Sequence, residues 1–153
     1  MLSPLLTLKK SDKVITLGFT GRRILDKFDE LLRGLDLEYF GGGRHKVSVE
    51  AALELFRDNK AFIVDVRSRE EVDHIRFDFA LNIPVSDISE RFAEIQKDKT
   101  VVVFCSSVVR ATIVYAYLRL RGYPEVRILT AGLYEIAACL KPGYVLKTAG
   151  KGL

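Results

Sequence analysis

The sequence predicts an α/β fold, a mostly parallel sheet flanked by helices on both faces and preceded by an N-terminal helical extension, and three observations carry that prediction. From His45 onward, short β-branched-rich runs (Ala61 to Val66, Val101 to Phe104, Val126 to Leu129) are apolar at nearly every position, as strands buried on both faces require. The runs alternate with segments that have helical spacing or helix-start signals. Strands alternating with helices place the helices over both faces of a parallel sheet.

The chain's 153 residues are a single-domain length that can bury a core without disulfides or metals. Hydrophobic residues make up 48% and charged residues 29%, which excludes disordered and fibrous classes. The apolar runs fall short of the roughly 18 residues a membrane span needs, and Met1 to Leu8 is too short and too soon charged for a signal peptide, so a cytoplasmic, membrane-free protein is expected. Its two cysteines point to thiol chemistry or burial rather than to a disulfide framework. No Cys/His spacing suggests a metal. The net charge of +4 is spread among acids without a basic run, which gives no support to nucleic-acid binding.

Residues 1 to 44 read as an extension and 45 to 153 as the main domain. Within the extension, Val14 to Phe19 suggests a strand, and Ile24, Leu25, Phe28, Leu31, Leu32 and Leu35 share one face of a helix that Gly34 stops. Such a stripe has to be covered, by the main domain or by a second copy of the chain, and a homodimer through the extension is the favoured expectation. Gly41 to Gly43 reads as a flexible joint. His45 to Val47 is a short strand, Ser48 a cap, and Val49 to Asp58 a helix with Ala52, Leu53 and Phe56 inward. Ala61 to Val66 is a strand, Ser68 and Glu71 form a capping box for a helix to about His74, Ala80 to Asn82 is a strand, and Asp87 to Gln96 a helix. Ala111 to Arg121 has Ile113, Val114, Tyr117 and Leu118 at helical spacing, Gly122 stops it, Val126 to Leu129 is the last strand and Leu133 to Leu140 the last helix before Pro142.

The stretch around which the domain is organised is Val101 to Ala111, VVVFCSSVVRA. A buried strand passes into a helix across Cys105 to Arg110, so a tight turn there would converge its N–H groups with the helix's first orphan donors. Cys105 sits at the mouth of that anion-favouring pocket, and Arg110 adds a positive charge. The same field would stabilise a thiolate nucleophile, although a buried cysteine ending a core strand has the same position.

Flanking motifs resemble the rhodanese-like (sulfurtransferase) family. Phe62-Ile-Val-Asp-Val-Arg67 with Ser-Arg-Glu-Glu is similar to its apolar-Asp-x-Arg strand end, and His74-Ile75 with Ala80-Leu-Asn-Ile-Pro84 to its GHI-x-G-A-x-N-I-P segment. Val101 to Arg110 matches the strand and active loop, and Leu129-Thr-Ala-Gly-Leu133 the late glycine turn. The resemblance covers Lys46 to Lys147 and implies that Cys105 takes the outer sulfur of a small donor, thiosulfate or a persulfide. Cys105 would hold it as a persulfide within the N–H ring of Ser106, Ser107, Val108, Val109 and Arg110, and pass it to a thiol acceptor. No cofactor is implied. Four residues separate Cys105 from Arg110, whereas related phosphatases and arsenate reductases have five, which disfavours a tetrahedral oxyanion. The family often has glycine where Val108 stands, and Arg76-Phe77 replaces its Pro-Gly.

Asp65 and Arg67 are expected to brace the active loop and His74 to be a hydrogen-bonded structural residue. Arg69 and Arg76 read as solvated charges and Cys139 as a buried small side chain, with a second, resolving thiol as its alternative. A non-catalytic or sulfur-relay binding module is the competing function.

Overall fold

The computed structural model describes residues 6–10, 13–17 and 19–148. The chain divides into two compact units, 1–37 and 38–153. In the first, β1 (Leu6–Lys10) and β2 (Lys13–Leu17) form an antiparallel hairpin in which Leu6 faces Leu17 and Lys10 faces Lys13. The strand expected at Val14 to Phe19 thus ends earlier, with Phe19 opening α1 (Phe19–Arg33). Gly34 ends α1 as expected, its N–H shared between the carbonyls of Glu30 and Leu31. On the apolar stripe, Ile24, Leu25 and Leu32 are exposed and Phe28 and Leu31 half-buried, while Leu35, expected on the same helical face, lies past the end of α1 and is half-buried there.

The second unit begins earlier than the residue 45 expected, because α2 (Leu37–Gly41) carries Tyr39, whose buried hydroxyl is hydrogen-bonded to that of Tyr115. Gly41 to Gly43 is a bonded turn instead of a free joint. Gly42 donates to the Glu38 carbonyl at 2.8 Å, and Gly43, at φ +66°, donates to that of Phe40 at 3.1 Å.

The elements that follow are β3 (Lys46–Val47), α3 (Val49–Arg57), β4 (Ala61–Asp65), α4 (Arg69–His74), β5 (Leu81–Asn82) and α5 (Ile88–Arg91). Then come β6 (Thr100–Phe104), α6 (Val109–Leu120), β7 (Val126–Leu129), α7 (Leu133–Ala138) and α8 (Pro142–Thr148). The five strands β3 to β7 form one parallel sheet in the order β3-β7-β6-β4-β5, with β6 central. Strand alternation divides the core between the two faces. Val101, Val103 and Cys105 pack with Ala111, Val114 and Leu118 of α6, while Val102 and Phe104 pack on the other side with Leu53, Ile63 and Ile136. No helix among the described residues is long and apolar enough to cross a membrane.

Three helices depart from expectation. The Asp87 to Gln96 helix is cut to α5 and a 3-10 turn at Phe92–Glu94, where the Tyr123 hydroxyl donates to the carbonyls of Phe92 and Ile95 and so competes with helical pairing. Pro142 ends the α7 segment but also opens α8, the first helical position being the one where a missing N–H costs nothing. The buried face of α6 is Ala111, Val114, Tyr115 and Leu118, and Ile113 is exposed.

Candidate functional site

β6 and α6 form the site. Extended backbone ends at Phe104, and Cys105 lies 1% exposed at the carboxyl edge of the sheet's central strand, packed with the α6 face of the core. Ser106 and Ser107 are exposed. Val108 is half-buried against the same core cluster and takes φ +70° and ψ −32°, a conformation that favours glycine and costs a β-branched residue about 1–3 kcal/mol. That turn lets α6 begin at Val109, two residues before the position read from apolar spacing. The first amide of the helix to pair with the loop is that of Thr112, onto the Val108 carbonyl at 2.9 Å, so the N–H groups of Val109, Arg110 and Ala111 have no acceptor within the helix.

Arg110 is held from two sides. Its guanidinium makes a two-pronged pair with Glu71, Nη1 to Oε2 at 2.5 Å and Nη2 to Oε1 at 2.8 Å, and Nη2 also donates to Ser106 Oγ at 2.8 Å. Glu71 is simultaneously the capping residue of α4: its Oε2 accepts the Ser68 N–H at 3.0 Å, and Ser68 Oγ accepts the Glu71 N–H at 3.4 Å. The Arg110 hydrogen bonds, outweighing partial burial, lower the Glu71 carboxyl from 4.5 to about 2. Arg110 is in turn held more firmly in its charged form, first by Glu71 and to a lesser degree by the adjacent Cys105 sulfur. The sequence identifies Glu71 only as a cap; its pairing with a residue 39 positions away leaves no local signal.

Beside the loop, the end of β4 carries a buried ion pair. Arg67, fully buried, donates from its backbone N–H and Nε to Asp65 Oδ1 at 3.0 Å each, from Nη2 to Oδ2 at 2.5 Å, and from Nη2 to the Ile75 carbonyl at 2.8 Å. Its Nη1 has no hydrogen-bond partner among the described residues, and the guanidinium lies over the Phe77 and Phe104 rings at 5.5 and 5.8 Å. Asn82 Nδ2 donates to the carbonyls of both Asp65 and Arg67 at 3.0 Å, and the Val66 N–H pairs with the Phe104 carbonyl. The brace therefore ends one residue from Cys105.

His74 does not have the hydrogen-bonded structural place expected of it. It is exposed in the last turn of α4, and the carbonyl that ties this junction to Arg67 belongs to Ile75, where the chain leaves the helix. Arg69 and Arg76 are exposed and paired with Asp87 at 2.9 Å and Asp73 at 3.8 Å. They line a cleft of about 490 Å³ together with Asp65, Asp73, Asp78 and Asn82. Cys139 is half-buried on the sheet face opposite Cys105, where its Sγ donates to Glu50 Oε1 at 3.3 Å; burial, then Glu50, raises its thiol.

A profile of the rhodanese-like domain matches residues 48–139, from the cap of α3 to the end of α7. The chain belongs to the rhodanese-like family. Among curated relatives, a sulfurtransferase of Allochromatium vinosum is 37% identical over 71 residues, 46% of this chain and 66% of that protein. A putative sulfurtransferase of Bacillus subtilis is 34% identical over 46% of this chain and 69% of its own length. Larger relatives share only a part: a tRNA uridine(34) hydroxylase of Sodalis glossinidius is 29% identical over 70% of this chain but 32% of its own length. The human single-domain sulfurtransferase superposes with a TM-score of 0.56 at 28% identity, covering 63% of this chain and 97% of that one. A rhodanese-related protein from Thermoplasma volcanium, 19% identical, covers 64% of this chain and 95% of its own with a TM-score of 0.55, and shares the fold. Both superpositions span most of the neighbour's length.

Proposed function

We propose that this rhodanese-like chain is a sulfurtransferase in which Cys105 carries the sulfur. The observation that carries the reading is the placement of Cys105 at the carboxyl end of the central strand, against the opening of α6 and beside Arg110. The Cys105 thiolate attacks the outer sulfur of a small donor, thiosulfate or a persulfide, and the donor's remainder leaves with the electrons of the broken bond. Amides from Ser106 to Arg110 receive the bound sulfur's charge, and an acceptor thiol then takes the sulfur away. Asp65 and Arg67 act through the backbone of the loop and touch no substrate.

Mass spectrometry after donor treatment tests this: a gain of about 32 Da on Cys105 is expected, and its absence with every donor overturns the reading. Burial of Cys105 to 1% exposure favours a second reading, a rhodanese-like module that binds a partner without turnover, and the same measurement separates the two. A homodimer through α1, with its exposed Ile24, Leu25 and Leu32, belongs to the same proposal, and light scattering on the full chain tests it.

A further inference from the structure

The loop from Cys105 to Arg110 contains two serines, two valines and one charged residue, Arg110. Glu71 takes up most of that charge, and the adjacent Cys105 sulfur meets it to a lesser degree. Both prongs of the guanidinium meet the Glu71 carboxylate, and Glu71 is itself anchored through Oε2 to the Ser68 N–H that caps α4, so the pair is fixed from the α4 side as well as from the loop. With the Glu71 carboxyl lowered to about 2, the pair remains intact across the physiological range. The neighbouring arginine at the end of β4, Arg67, is buried against Asp65. With Arg110 paired to Glu71, what the pocket chiefly offers an anion is the partial charge of the loop and helix amides, equivalent to roughly half an elementary charge.

We infer that Glu71 cancels the Arg110 charge at the Cys105 pocket and so selects as sulfur donor a persulfide, neutral or singly charged at its reacting end, over the thiosulfate dianion. This rests on the sulfurtransferase reading. In the step itself, the Cys105 thiolate forms a bond to the terminal sulfur of R–S–SH, the S–S bond of the donor breaks, and its electron pair leaves as R–S⁻. The proton travels with the transferred sulfur and is then lost to solvent, leaving the persulfide anion to the loop amides, and no external oxidant or reductant is consumed.

Loading of Cys105 in the full-length chain by thiosulfate and by cysteine persulfide, followed by mass spectrometry, measures the preference. Glu71→Gln keeps a carbonyl oxygen for the Ser68 N–H and removes the charge. The expected result is faster loading of the wild type by cysteine persulfide, with thiosulfate gaining about tenfold relative to it in Glu71→Gln and losing in Arg110→Gln. A donor ratio unmoved or moved the opposite way in Glu71→Gln overturns the inference. Should that variant not fold, the wild type decides: a thiosulfate rate nearly flat between about 0.05 and 0.5 M salt supports a neutralised site, and a steep fall overturns it. No loading by either donor overturns the sulfurtransferase reading, and this inference with it, whereas loading by both at equal rates in the wild type overturns the inference alone.

Discussion

Cys105, Val108 and Glu71 lie in or against the turn from β6 into α6. Cys105→Ser is expected to abolish the gain of sulfur while leaving Cys139 and the fold intact, because Cys139 packs on the opposite face of the sheet. Retained sulfur transfer in Cys105→Ser would transfer the assignment elsewhere. Val108 stores strain at φ +70° but packs on the core. Val108→Ala keeps the strain and loses packing, whereas Val108→Gly loses packing and removes the strain. Urea unfolding should therefore rank Val108→Gly above Val108→Ala by about 1 kcal/mol, the reverse of the usual order for these two residues. Glu71 contributes a pH dependence with a definite sign. Its carboxyl is lowered in the folded state, so its stabilisation is present above the unfolded value of 4.5 and is lost as pH falls toward about 2. The stability difference between wild type and Glu71→Gln should shrink over that window; a constant difference would show that the Arg110 pair contributes nothing to folding.

At the scale of elements, the turn from β4 to α4 works as a brace for the turn from β6 to α6. Asp65 and Arg67 end the first turn in a fully buried pair, and Glu71 ties α4 to the start of α6. Removing one member of a buried pair leaves an uncompensated charge, so Arg67→Ala should cost about 3–5 kcal/mol in urea unfolding. A loss below about 1 kcal/mol would mean that solvent or a neighbour takes the place of the guanidinium. The capping box of α4 was readable from Ser68 and Glu71 alone because its partners are three residues apart. The inward face of α6 was not, since that helix is apolar on most sides and only its packing on β6 and β7 selects Ala111, Val114, Tyr115 and Leu118 over Ile113.

For the whole molecule, the division at Leu37 and Glu38 makes Tyr39 part of the rhodanese-like unit. A chain of residues 38–153 should exceed one of 41–153 in stability by about 2–4 kcal/mol, since the shorter one loses a buried ring and leaves the Tyr115 hydroxyl without its partner. Equal denaturation midpoints would show the Tyr39 contact to be dispensable. Read by itself, the sequence determined the parallel α/β class, the strands from Ala61 to Leu129, the helix caps and the position of Cys105, because strand runs, caps and the strand-to-helix turn are written in residues close together along the chain. Tertiary structure alone decided the rest. Glu71 met Arg110 and Tyr39 met Tyr115 across 39 and 76 positions, His74 turned outward while Ile75 supplied the carbonyl, and Val108 was held at positive φ. The first two are pairings between groups distant in sequence, and the others are a contact and a strain held in place by packing that no local pattern records.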